Sequence, residues 1–117
     1  MATILVVEDE PDILKSLCYC LISHGHTVIE AMDGQEALAI CNEQADRIHL
    51  VITGIHMPGM NGIELGKKVE TLHPHLKVIY SSATPRKMLK TLKEDSVFLE
   101  KPFTKETLIA AVKAALQ

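Results

Sequence analysis

Tryptophan is absent from the 117 residues, and two tyrosines and two phenylalanines bring the aromatic share to only 3%. The core must therefore be aliphatic. No apolar run approaches the roughly 20 residues needed to span a bilayer, and Met1-Ala2-Thr3 lacks the charged start of a secretory signal. The expectation is a cytoplasmic chain with no membrane partner. Charge of one sign is not gathered either: 12 basic and 15 acidic residues, net -3, are scattered without runs, so the electrostatic footprint of a nucleic-acid binder is missing. Three cysteines, Cys18, Cys20 and Cys41, are an odd number without disulfide-scaffold character, which suits packing roles in a reducing compartment. The pairs His24-x-His26 and His73-x-His75 have no third ligand within sequence reach, so no zinc site is expected. Gly-x-Gly-x-x-Gly, Gly-Lys-Ser/Thr and Gly-x-Ser-x-Gly are all lacking, which removes sequence support for nucleotide-binding and hydrolase chemistry.

What is present has the balance of a globular protein, 47% hydrophobic and 23% charged, in a length that fits a single domain over residues 1–117. Thr3 to Val7 is a continuous aliphatic run that predicts a strand buried on both faces. Pro11 then opens a helix with Leu14, Leu17, Cys18 and Leu21 on one stripe, closed by His24-Gly25. Thr27 to Ala31 is a second strand, and Asp33 with Glu36 caps a helix running to about Gln44. His49 to Thr53 forms a third strand, and Asn61 with Glu64 caps a helix whose Leu65, Val69 and Leu72 share a face until His73-Pro74. Lys77 to Ser81 is a fourth strand, followed by a short helix from Pro85 to about Lys93 with Met88, Leu89 and Leu92 turned inward. Val97 to Leu99 is a fifth strand, Lys101-Pro102-Phe103 a turn, and Thr104 caps a last helix with Leu108, Ala111, Val112 and Ala115 buried.

Five strands alternating with five helices call for an α/β fold, a doubly wound parallel sheet in the order 2-1-3-4-5. In that order the ends of the first and third strands meet where the chain reverses direction, so Glu8, Asp9 and Gly54 should come together. Adjacent carboxylates at a strand end repel unless a cation joins them, and Mg²⁺, a hard ion that takes oxygen ligands, is the natural partner. Taken alone, Glu8-Asp9-Glu10 also reads as a solvated helix start, where acids interact favourably with the helix dipole.

Four motifs stand in order at successive strand ends: Val6-Val7-Glu8-Asp9-Glu10-Pro11, Met57-Pro58-Gly59-Met60-Asn61-Gly62, Tyr80-Ser81-Ser82-Ala83 and Glu100-Lys101-Pro102-Phe103. With these in register, essentially the whole chain resembles the receiver domain of bacterial two-component response regulators, a flavodoxin-like (βα)5 fold. The resemblance implies that Glu8 and Asp9 match the acidic pair that holds Mg²⁺, with the backbone carbonyl of His56 as the main-chain ligand. It likewise matches Ser82 to the hydroxyl that contacts the phosphoryl group, Phe98 to the aromatic that changes rotamer with it, and Lys101 to the lysine that neutralises it. An acyl phosphate needs such cations and donors around its oxygens.

The chain departs from the pattern where the chemistry begins. The family's phospho-acceptor aspartate falls at Gly54, which offers no nucleophile, no metal ligand and no partner for Lys101. Thr53 should face away by strand alternation, and His56 reads as a solvated loop side chain. Mg²⁺ binding is therefore expected to be weak. The stretch from Ser82 to Lys101 is also short for the family, which puts in question the output surface formed by its fourth and fifth helices and a homodimer through it. The function expected is a two-component receiver lacking its acceptor, a phosphorylation-independent interaction module rather than an enzyme. Its expected partners are a histidine kinase or phosphotransfer protein and an output domain, and not nucleic acid. Alternatives are an ordinary phosphorylatable receiver carrying an Asp-to-Gly replacement, or a small enzyme using Asp9, Ser82 and Lys101 on the same fold.

Overall fold

A computed structural model describes residues 1–117. Its elements are β1 (Thr3–Val7), α1 (Pro11–Ser23), β2 (Thr27–Ala31), α2 (Gly34–Gln44), β3 (Leu50–Gly54), α3 (Gly62–Leu72), β4 (Lys77–Ser82), β5 (Val97–Glu100) and α4 (Lys105–Ala115). The five strands are parallel and ordered β2-β1-β3-β4-β5, as the alternating pattern requires.

Strand alternation divides the core in two. Ile4, Val6, Leu50, Ile52, Ile79 and Leu99 face α1 and α4, where Leu14, Leu17, Cys18, Leu21, Leu108 and Val112 meet them. Leu5, Val7 and Val51 face the opposite way, against Ala37 and Cys41 of α2 and Leu65 and Val69 of α3. Cys18 and Cys41 are buried in these two layers, and burial pushes each thiol up to about 11, so both stay protonated packing groups.

The helix starts carry the expected caps. Asp33 accepts from the Glu36 amide at 2.7 Å, Asn61 from Glu64 at 2.9 Å, and Thr104 from Thr107 at 3.1 Å. Glu36 completes the first cap by accepting from the Met32 amide at 2.8 Å. Gly25, at φ 89, takes the left-handed turn that ends α1.

Two sequence expectations fail. The predicted helix from Pro85 to Lys93 is only a 3-10 turn over Arg86–Met88, leaving four α-helices instead of five. The Arg86 guanidinium donates to the backbone carbonyls of Ser96 at 2.6 Å, Lys93 at 2.8 Å and Glu94 at 2.6 Å. It thus folds the segment back on itself and fixes carbonyls in a loop rather than a helical ladder. Leu89 is buried, but Met88 is 64% exposed instead of inward-facing. Leu72, expected on the buried stripe of α3, is 54% exposed at the helix's last turn, beyond the reach of the core.

At the amino end of the sheet, β1 is anchored by two imidazoles. The Ala2 amide donates to His26 Nδ1 at 3.2 Å and the Thr3 amide to His49 Nδ1 at 3.0 Å. Burial, with the positive N-terminus and His24 nearby, holds the His26 pKa below its ordinary value. Because the unfolded chain then takes up the proton first, His26 costs nothing above pH about 6.5 and destabilises increasingly as pH falls from there toward its folded pKa. Urea midpoints measured across this range should drop more steeply for the wild type than for His26→Asn, whose side-chain oxygen can still accept from Ala2. Parallel slopes would refute this.

Candidate functional site

The carboxyl ends of β1, β3, β4 and β5 open into a cavity of about 290 Å³, lined by Glu8, Asp9, Gly54, His56, Ser81, Ser82 and Lys101 among others. Loops beyond such strand ends are where open α/β sheets hold their chemistry. Alternation sorts the strand-end residues by face. Glu8, Gly54, Ser81 and Lys101 share the parity of Val6, Ile52, Ile79 and Leu99, and so belong to the α1 side of the sheet.

Glu8 is the centre of this arrangement. Its carboxylate is buried, and Oε1 accepts from Lys101 Nζ at 2.8 Å, with the two side chains 3% and 22% exposed. Oε2 accepts from the Glu10 amide at 3.4 Å. A Cβ built on Gly54 would stand 3.2 Å from Glu8 Oε1, and its three nearest neighbours would all be Glu8 carboxylate atoms. Glu8 therefore occupies the space beside Gly54 and serves as the counter-ion of Lys101. The lysine is not left unpaired by the glycine, as the sequence suggested. Breaking a buried pair of this kind costs about 3 kcal/mol, because the remaining charge is left desolvated.

Ser81 was not legible as a site residue from the motifs, which pointed to Ser82. It pairs with Gly54 across the β3–β4 ladder, and its Oγ is buried with no hydrogen-bond partner. A buried hydroxyl without a partner is uncommon, and this one lines the cavity on the side where residue 54 has no side chain. The register was the signal that could have found it. Ser82, buried beside it, accepts from the Thr84 amide at 3.0 Å.

The remaining candidates lie at the margin or outside. Asp9 lines the cavity, and His56 is exposed with Nε2 3.0 Å from Thr84 Oγ1. Thr53 donates to the Gly54 carbonyl at 2.8 Å and is not among the lining residues, as alternation required. Phe98 packs with Ile55, Tyr80 and Leu89 on the other side of the sheet. There burial, with Glu70 nearby, pushes the Tyr80 phenol up to about 12.

Carboxylate and carbonyl oxygens are the right donor types for Mg²⁺, but the ion pair with Lys101 draws Glu8, one of the two acids, away from such a site. Both Glu8 oxygens are engaged within the protein, and no three His, Cys, Asp or Glu side chains converge on one point.

Comparison with known proteins matches residues 4–113 to the response regulator receiver domain model. The chain is 35% identical to the sensor kinase CckA of Brucella abortus over 99% of its own length, though it spans only 13% of that protein. It is 31% identical to the protein PilH of Pseudomonas aeruginosa, covering 99% of this chain and 98% of that one. Among solved structures, the response regulator TrrA of Thermotoga maritima in complex with Mg²⁺-BeF superposes with a TM-score of 0.88 at 32% identity, covering 99% of this chain and 100% of that one.

Proposed function

Because the chain belongs to the response regulator receiver domain family, we propose that it is a two-component receiver that works without aspartyl phosphate, as an interaction module held in one charge state. The observation carrying this reading is the pairing of Lys101 with Glu8 beside a glycine at the acceptor position. The lysine that neutralises the phosphoryl group in the family has a counter-ion from within the chain, and no carboxylate stands at position 54 to accept phosphate. The module has no catalytic role of its own, and Mg²⁺ binds it weakly. Its partners are proteins: a histidine kinase or phosphotransfer protein, and an output domain.

The orphaned Ser81 hydroxyl favours a second reading, in which the site is that of an ordinary phosphorylatable receiver with glycine in place of aspartate. In both readings this polypeptide is inert to phosphoryl donors. Incubation with acetyl phosphate and Mg²⁺ should leave its intact mass unchanged. A stoichiometric phosphoryl adduct at any residue would overturn the phosphorylation-independent reading.

The turn at Arg86–Met88 takes the place of the helix expected between β4 and β5, so the helical surface through which a homodimer was expected is not built there.

A further inference from the structure

Glu8 has two potential cationic partners, and in this geometry it is turned to one of them. Lys101 Nζ holds Oε1 at 2.8 Å, while Oε2 accepts from the Glu10 amide. A divalent ion at the strand ends would have Asp9 and the His56 carbonyl to draw on, but it needs Glu8 to complete a carboxylate pair. The space that lets Glu8 reach toward Lys101 lies beside Gly54, where a Cβ would stand 3.2 Å from Oε1.

We propose that Lys101 is the resident cation of this site and that it excludes Mg²⁺ by holding Glu8. The inference rests on the receiver reading and concerns how that same site is controlled. An incoming ion must first break an ion pair whose carboxylate is almost wholly removed from water, and must then leave the ammonium without a counter-charge. Removing the lysine reverses the balance. It deletes a positive charge from the cavity and releases Glu8 to join Asp9, so the loss of one cation creates a place for another.

Mg²⁺ titrations of wild type and Lys101→Met, followed by melting temperature and by backbone amide shifts of Glu8, Asp9 and His56, test this directly. Wild type should show no saturable response at millimolar Mg²⁺. Lys101→Met, less stable without the ion, should bind it at least about tenfold more tightly than wild type and recover stability as it does. Glu8→Gln/Lys101→Met should lose that gain while avoiding the desolvated charge. If Lys101→Met is too unstable to purify, Lys101→Gln keeps a donor toward Glu8 and removes the same charge. Equal Mg²⁺ affinity in wild type and the lysine variants overturns the proposal, as does a gain that survives in the double variant. An acetyl phosphate adduct on wild type would instead defeat the functional reading, and leaves the cation competition to be judged by these titrations alone.

Discussion

Gly54→Asp should convert a chain that takes up no phosphoryl group into one labelled by acetyl phosphate in the presence of Mg²⁺. The expectation rests on how little must move. The three atoms nearest a Cβ at this position all belong to the far end of the Glu8 side chain, the closest at 3.2 Å. The new carboxylate would enter the cavity between Lys101 and the unpartnered Ser81 hydroxyl. It would compete for the lysine and displace Glu8 toward Asp9. Three carboxylates in one small cavity repel one another unless a cation is present, so the variant should be less stable than wild type without Mg²⁺ and regain stability with it. Intact-mass analysis should show the adduct in Gly54→Asp and not in Gly54→Asn, which fills similar space without a nucleophile. A variant that stays folded and binds Mg²⁺ yet remains unlabelled would show that the surrounding groups no longer form a phosphoryl site.

Gly62→Ala should be the most destabilising single methyl addition near the site. A Cβ there runs into the Gly54 carbonyl oxygen, lies 2.8 Å from the carbonyl carbon and 2.9 Å from Ile55 Cα. These are backbone atoms of β3 and of the loop that follows. They are held in turn by the Ile55 amide on Ser81 at 3.0 Å and by the Gly62 amide on Ile55 at 2.8 Å. No side-chain rotation relieves the clash, so α3 must shift away from the sheet. The cost should reach at least about 3 kcal/mol, or more than about 10 °C in melting temperature. A loss below about 1 kcal/mol in urea unfolding would show that the start of α3 is more pliable than its hydrogen bonds imply.

The strands were readable because each is a short aliphatic run closed by a turn, and three helices announced themselves through Asp33, Asn61 and Thr104. The failed helix between β4 and β5 shows the limit. Met88, Leu89 and Leu92 have helical spacing, but the segment's shape is set by Arg86 reaching carbonyls as far away as Ser96, a tertiary choice that periodicity does not report. Motif position put Glu8, Asp9, Gly54, Ser82 and Lys101 at strand ends, and all five line one cavity. It could not tell that Glu8 turns to Lys101, because that depends on space left by a missing side chain. Ser81 was within reach of the alternation rule once its pairing with Gly54 was known, and register is something only the assembled sheet supplies.

The Glu8–Lys101 bridge also joins residues 93 positions apart, linking the first strand to the last. Such a contact closes a loop of nearly the whole chain, and it cannot form until β1, β3, β4 and β5 lie side by side. Its energy belongs to the final stage of assembly. It therefore acts on how long the native state persists before opening rather than on how quickly that state is reached.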